Sequence, residues 1–493
     1  MWLKTRISLT VLGVILFVGA FVLKFLVRVK LVNGTDSYAR WKNLPIPIKY
    51  KIYFFNISNP DEVQKGLKPK VQEIGPYVYY QKRWKTNITK NEDTLHYFQN
   101  LDFTFDHNES FPLTDTDEIV VANLPLMVSS AVITITENTL HPLLPMLNKA
   151  IDQIFGSPTD LFLRTTPRDF LFDGLFLACD TNDVLVTIAC KIIEKVAPPT
   201  LQRLEDGRFK FSLLGHKNNT NEEGDFIVNS GTKTIEQLGQ ISSWRGSSTL
   251  STWAPNSTCN NIVGSDSTIY PPFLTPESVI DVFSVDICRS VALKYSNDIT
   301  YSGVSGIRFV AGKNLLASPK SLPSNECYCL KKTDGIRGDD GCLLDGALDL
   351  STCQKAPIIM SLPHFYLADK AYQGAISGLN ATGSLHEMFV DLEPNTGTPL
   401  RGHKRAQFNI FYQQVPNITL TGSLNTTLIP IVWLDEGVDL PEDLVNELNE
   451  KLFDVLDKVN IIFWTLLSIG IVIIVVNVAW SILICHRRRN NVV

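Results

Sequence analysis

The sequence carries no catalytic signature. No Gly-x-Ser-x-Gly elbow, His-Glu-x-x-His pair, P-loop or dinucleotide fingerprint occurs in its 493 residues, which removes the enzyme classes those motifs announce and leaves no cofactor to expect. Histidine is scarce, eight in all. His96, His107, His141, His216, His364, His386 and His403 are scattered without metal-ligand spacing. Neither sign of charge dominates: 45 Lys and Arg against 50 Asp and Glu leave a net charge of -5 with no basic stripe, so nucleic acid is not the partner. Pro/Gly/Ser-rich linkers, charge blocks and internal repeats are also missing. The chain therefore reads as one large domain, although its length would allow two or three.

Hydrophobic runs stand at both ends. Ile461 to Ile484 holds twenty-four residues without a formal charge, about 36 Å of helix against a hydrocarbon core of roughly 30 Å. Trp464 and Trp480 lie near its ends and His486 to Arg489 follow at once, as membrane interfaces favour. At the other end Ile7 to Leu23 is broken only by Ser8, Thr10 and small residues, and Phe25 to Val27 extend it past Lys24. A cleavable signal peptide is the competing reading. The run exits into Lys24, Phe25, Leu26, Val27 and Arg28 with no small-x-small site beyond it, which favours a second span.

Between the runs lie nine Asn-x-Ser/Thr sequons and eight of the nine cysteines, features of an oxidising, glycosylating compartment. The expected layout is a cytosolic N-terminus 1–6, a transmembrane helix 7–30, an ectodomain 31–460, a second transmembrane helix 461–484 and a cytosolic tail 485–493, in the plasma membrane. Glycans are expected at Asn56, Asn87, Asn108, Asn218, Asn256, Asn380, Asn417 and Asn425, while Asn33 lies too near the bilayer. Cys485, at the cytosolic end of its span, is a candidate for palmitoylation.

The ectodomain opens on a period of two, in which Ile46, Ile48, Tyr50, Ile52 and Phe54 alternate with Pro47, Lys49, Lys51, Tyr53 and Phe55. Leu95, Tyr97, Leu101, Phe103 and Phe105 repeat it. Gln72 to Tyr80 reads as a tight turn at Gly75-Pro76 feeding an aromatic strand, and residues 201–315 read as short strands and turns. The stretch from Asn43-Leu44-Pro45-Ile46-Pro47 through Phe55-Asn56-Ile57-Ser58-Asn59-Pro60 to Glu73-Ile74-Gly75-Pro76-Tyr77 resembles the signature of the CD36 family, the class B scavenger receptors. Gly264-Ser265-Asp266-Ser267-Thr268, Asp286-Ile287-Cys288-Arg289-Ser290, Ser361-Leu362-Pro363-His364-Phe365 and Pro430-Ile431-Val432-Trp433 follow in family order. The resemblance covers the whole chain. It implies a membrane protein with two transmembrane helices and a large α+β ectodomain with an antiparallel β-barrel core, a helical cap and an internal hydrophobic tunnel for lipid.

Residues 125–200 suit a cap. Ser157-Pro158-Thr159-Asp160 and Thr166-Pro167-Arg168-Asp169 each place an N-cap hydroxyl, a proline at the first helical position and an acid at the third, and Gly174 is a plausible stop for the second. Leu147, Ile151, Ile154 and Phe155 keep helical spacing, as do Val184, Ile188, Ile192 and Val196. CD36 itself places a lysine on this cap near its ligand entrance, and the resemblance makes Lys149 the nearest candidate for a ligand contact. Before the last span, Leu444, Leu448, Leu452 and Val455 form an amphipathic stripe after Pro441, the pattern of a juxtamembrane helix.

Cys179 and Cys190 would be about 16 Å apart on one straight helix, so a disulfide between them requires a turn, which Asp180 to Asp183 supply. A cysteine pair of this spacing is similar to that of the insect sensory neuron membrane proteins, a branch of the family tied to lipid-derived pheromones. The other six, Cys259, Cys288, Cys327, Cys329, Cys342 and Cys353, allow 15 pairings, with zinc as an alternative at Cys327-x-Cys329. The resemblance implies Cys259 with Cys327, Cys288 with Cys353 and Cys329 with Cys342. Inside the last of these loops lies Arg337-Gly338-Asp339, a tripeptide that integrins bind and that turn formers also produce by chance.

The resemblance thus points to a cell-surface receptor that captures hydrophobic lipid ligands, pheromones or fatty acids among them. Such a receptor delivers them to the lipid bilayer or to a neighbouring receptor such as an odorant receptor complex. A protein-binding sorting or adhesion receptor of the same family is the alternative, although Cys485 to Val493 holds no dileucine or tyrosine-based signal. A trimeric channel shares the gross topology but would need pore-lining polar residues in its spans.

Overall fold

The structure, a computed structural model, describes residues 29–127, 144–331, 333–415, 418–450 and 454–490, and for 144–147, 196, 454–460, 463, 477, 481 and 484–490 the backbone alone. The chain divides into a large unit, Lys30–Ile299 with Gly306–Asp439, and a small one, Met1–Val29, Thr300–Ser305 and Leu440–Val493.

In the large unit a short helix α1 (Asp36–Lys42), capped by the Thr35 hydroxyl on the Tyr38 amide, buries Trp41. A meander follows: β1 (Ile48–Ile57), β2 (Val71–Asn91) and β3 (Thr94–Phe105). The predicted alternation holds over 48–54, where Ile48, Tyr50, Ile52 and Phe54 are buried while Lys49, Lys51 and Tyr53 are half-exposed, and fails at Phe55, which is buried as well. The tight turn expected at Gly75-Pro76 is not there. These residues lie inside β2, where the pairing with β1 slips between Ile52 and Phe54. Gly75 sits so close to Tyr53 that a Cβ would come within 2.9 Å of its Cα, so the glycine serves a bulge and the strand runs on.

Further strands are β4 (Ile119–Ala122) with β5 (Phe162–Thr165), a two-stranded ribbon, and β6 (Leu175–Leu177), β7 (Leu201–Arg203) and β8 (Phe209–Phe211), a small sheet. β9 (Asp225–Asn229), β10 (Ile241–Trp244), β11 (Val279–Ser284), β12 (Arg289–Tyr301), β13 (Val304–Val310), β14 (Leu348–Asp349), β15 (Ile359–Ser361), β16 (Phe389–Leu392), β17 (Pro399–Tyr412) and β18 (Thr427–Asp439) complete the list. Among the described residues the main sheet has 13 strands, in the order β10-β9-β3-β2-β1-β18-β17-β16-β13-β12-β11, with β14 and β15 branching from β17.

Its two edges almost meet. The Ile241 amide of β10 donates to the Gly264 carbonyl (2.9 Å), the Ser265 amide donates to Asp281 of β11 (3.0 Å), and the Phe283 amide donates back to Ser265 (2.9 Å). The strap Gly264-Ser265 therefore ties edge to edge and makes a nearly closed barrel. Only glycine fits at 264, where φ is +98° and a Cβ would run into the Asp281 carbonyl.

The cap region holds α2 (Leu144–Phe155) and α3 (Val184–Val196), and residues 128–143 lie outside the described set. Thr166-Pro167-Arg168-Asp169 does open a short helix, Asp169–Asp173, with the Asp169 amide donating to the Thr166 hydroxyl (3.1 Å) and Gly174 ending it. Ser157-Pro158-Thr159-Asp160 opens none. Gly156 and Ser157 take positive φ after α2, and Asp160 accepts from the Phe162 amide (2.8 Å) as the chain enters β5, so the same residues serve as a stop. The stripe on α3 also differs from expectation: Val184 and Ile188 face solvent, and Val186, Ala189, Cys190 and Ile193 are the buried side. Asp183 caps α3 by accepting from the Leu185 amide (2.8 Å). This turn brings Cys179 and Cys190 to 6.0 Å between Cα atoms, joined as a disulfide.

In the small unit α4 (Glu442–Leu448) buries Val445 after Pro441 and leaves Leu444 and Leu448 half-buried. The side chains of Leu452 and Val455 are outside the described set. The last helix, α5 (Asp454–Asn490), runs 37 residues and carries exposed Ile461, Trp464, Val472, Val475, Trp480 and Leu483. Among the described residues no helix is long and apolar enough to cross a membrane; the run 461–484 is interrupted at 463, 477 and 481, whose side chains lie outside that set. The segment 7–30 lies outside it almost entirely.

Candidate functional site

The inward face of the barrel is where the sequence departs from an apolar core. Along β2 the buried face of Tyr77 and Tyr79 continues as Gln81, Arg83 and Lys85. Across the sheet Tyr50 pairs with Glu436, and Glu436 with Lys404. Arg83 reaches Glu436 at 2.8 Å and Lys404 reaches it at 3.3 Å. Lys404 also holds Asp286 at 2.8 Å, and Lys217 bridges Asp286 and, at 3.5 Å, Glu223. Three cations thus meet three anions inside the barrel. Burial would raise the Asp286 carboxyl, but Lys217 and Lys404 hold it well below the usual carboxylate range. Burial alone would lower Lys404, and Asp286 and Glu436 raise it instead. Such a network is stable only because every charge has a partner.

One turn along, Lys85 lies fully buried between the rings of Trp41 and Tyr97, 5.0 and 5.1 Å from their centroids. Asp266 answers it at 3.3 Å and accepts from the Tyr97 hydroxyl at 2.6 Å. The cavity beside these groups, lined by Arg83, Lys217, Asp266, Asp286, Lys404 and Glu436 among others, has a volume of about 40 Å³ for water-sized occupants. It has room for a water or two. At this level the interior is charged, its long cationic side chains reaching their partners from separate strands and loops.

A second cluster gathers three of the motifs quoted above. Glu73 accepts from His364 Nε2 (2.5 Å) and from the Trp433 indole (2.7 Å). His364 stacks on His386 with ring centroids 4.6 Å apart, and Trp433 stacks on Tyr53 at 3.9 Å. The Asn380 amide donates to His364 Nδ1 and the Thr382 amide to His386 Nδ1, both at 3.0 Å. Burial, then His364, push the His386 imidazole down to about 4. Through these bonds the cluster clamps the 362–386 segment to β2 and β18. Among the described residues no group of His, Cys, Asp and Glu is arranged to hold a metal.

The other predicted positions are spread out. Lys149 is exposed on α2, away from the lumen cluster in sequence and element. Asn87, Asn108, Asn256, Asn380 and Asn425 are exposed; Asn56 and Asn218 are half-buried and accept from the Val120 amide (2.7 Å) and the Phe103 amide (2.9 Å). Asn417 and the Cys485 side chain lie outside the described residues. Disulfides join Cys259 to Cys327, Cys288 to Cys353 and Cys329 to Cys342. Arg337 and Asp339 are exposed in the loop that the last of these closes, where the Gly338 amide donates to the Cys342 carbonyl (2.8 Å). Sequence reasoning missed Arg83, Lys217, Glu223, Lys404 and Glu436. The available signal was Arg83, a charge falling on the apolar phase of a strand.

The motifs that meet in this fold are matched as a set by the model of the CD36 family, over residues 5–480. The chain belongs to the CD36 family. It is 36% identical to sensory neuron membrane protein 2 of Anopheles gambiae, over 95% of this chain and 90% of that protein. To the Drosophila melanogaster protein of the same name it is 34% identical, over 89% and 88% of the two chains. Sensory neuron membrane protein 1 of Pediculus humanus subsp. corporis is 33% identical over 90% and 84%. In CD36-family terms the protein is of class B scavenger-receptor type, and the Glu73 clamp joins three of the motifs quoted above.

Proposed function

We propose that this protein is a membrane-anchored lipid receptor, which takes long apolar molecules into its ectodomain and hands them unchanged to the bilayer or to an adjacent receptor, such as an odorant receptor complex. The observation that carries the reading is family membership across nearly the whole chain, alongside relatives named as sensory neuron membrane proteins. In this reading 7–30 and 461–484 are the two anchors and both short termini are cytosolic. Each buried methylene of a ligand gains about 0.8 kcal/mol, so few polar groups are needed to place its head, and Lys149 is the proposed contact at the entrance.

To test the reading, the glycosylated full-length protein in detergent is titrated with fluorescent fatty-acid, sterol and pheromone-like probes, with unlabelled competitors. Saturable, competable binding to at least one class is expected. Its absence for every class, in protein shown to be folded, removes the lipid reading. Adhesion is a second reading, favoured by the exposure of Arg337 and Asp339 in a disulfide-closed loop. It predicts that Asp339→Glu abolishes attachment of integrin-bearing cells while leaving lipid binding unchanged.

A further inference from the structure

Arg289 is a buried cation without a carboxylate partner. It opens β12, directly after Cys288 of the disulfide to Cys353, and is 7% exposed. Its guanidinium carbon lies over the Tyr328 ring, 3.7 Å from the centroid, and Tyr328 packs edge-on against Trp253 at 5.0 Å. It makes a long hydrogen bond, 3.4 Å from Nη2 to the Asn325 carbonyl oxygen, and its buried Nε has no partner among the described residues. Elsewhere in this ectodomain buried cations are answered: Lys85 by Asp266, and Lys217 and Lys404 by Asp286. An arginine does not shed its proton in a protein, and an uncompensated charge in such a place is costly.

The guanidinium borders a cavity of about 30 Å³ for water-sized occupants, lined also by Asn325, Tyr328, Thr333 and Asp349. Asp349 does not answer the charge. It accepts from the Thr333 hydroxyl and, at 2.7 Å, from the Ser351 amide. Asn325 is committed as well, its amide donating to the Asn314 and Ala317 carbonyls (3.0 and 2.8 Å). The free donors are those of the arginine.

We infer that this cavity is a binding site for one small monovalent anion, chloride, held at the N–H edge of the Arg289 guanidinium, whose other contact is the Tyr328 ring. A single charge selects a monovalent ligand, and a space of one or two waters admits a halide more readily than a phosphate. Ionic strength outside cells is about 0.15 M, so even millimolar affinity fills the site. The ion would fix the Cys329–Cys342 segment, whose two sulfur-bearing residues also line the cavity.

The test uses the full-length glycosylated protein in detergent, unfolded thermally in sodium chloride, bromide, acetate or gluconate at matched ionic strength. Chloride and bromide are expected to raise the midpoint saturably by about 1–3 °C over gluconate, and Arg289→Met to lose that rise while Arg289→Lys keeps part of it. Equal midpoints in chloride and gluconate overturn the proposal, as does a rise that survives in R289M. An equal rise in acetate assigns the site to a carboxylate and overturns the halide. Should R289M fail to fold, anomalous scattering from bromide-soaked wild-type crystals decides: a peak at the guanidinium supports the site and a blank cavity removes it.

Discussion

His386 shows how one side chain makes stability depend on pH. Burial, then the neighbouring His364, push its imidazole down to about 4, against about 6.5 in an unfolded chain. Between those values the unfolded chain binds a proton that the folded one refuses, so the stabilisation is whole above about pH 6.5 and drains away as pH falls towards 4. His216, pushed down to about 4 by burial and then by Lys217, behaves alike. His403, raised by Asp435 and Asp439 against burial, works in the opposite sense: its contribution is whole below about 6.5 and is lost as pH climbs through its folded value. Denaturant unfolding between pH 7 and 4 is therefore expected to show a loss of roughly 3 kcal/mol for each depressed histidine, and His386→Gln to flatten its share. Parallel profiles for the two proteins would rule this out. None of these environments was legible in the sequence, where the histidines look scattered, because a histidine's surroundings come from strands far apart in the chain.

Strands, by contrast, were read easily and for a clear reason. β1 and β3 each present one buried face, and a period of two survives any tertiary arrangement that leaves one side wet. Turn chemistry transferred less well: Gly75-Pro76 and Ser157-Pro158 carry residues that begin, end or bulge an element with equal ease, and the partner strand decided which. The strap at Gly264 is a sharper test of element-level reasoning. Gly264→Ala is expected to cost roughly 3 kcal/mol or more, since it adds both a strained φ and a backbone clash; thermal unfolding and surface yield of the full-length variant report it, and a shift under one degree would discount the strap. In the lumen, Lys404→Met takes one of two cations from both Asp286 and Glu436, which keep Lys217 and Arg83, and is expected to cost about 1–3 kcal/mol, measured by the same unfolding.

At the scale of the molecule, topology is open to a mass measurement. If residues 31–460 face outward, an endoglycosidase should remove many kilodaltons, and glycopeptide mapping should find occupancy highest at the exposed Asn87, Asn108, Asn256, Asn380 and Asn425. Unchanged mass would refute the orientation. The family, the barrel class and the cysteine framework could be recognised from motifs because they depend on residues spaced along the chain. The charged lumen could not, since Arg83, Lys217, Asp286, Lys404 and Glu436 come from separate strands and loops of the chain.

Proteins held at a surface meet one another at high local concentration, and an open sheet edge there invites copies to add strand to strand. Here the outermost strands, β10 and β11, both spend backbone groups on the same two residues, Gly264 and Ser265. Crowded copies are thus offered little unpaired backbone at either rim, and packing side by side does not by itself seed a fibre.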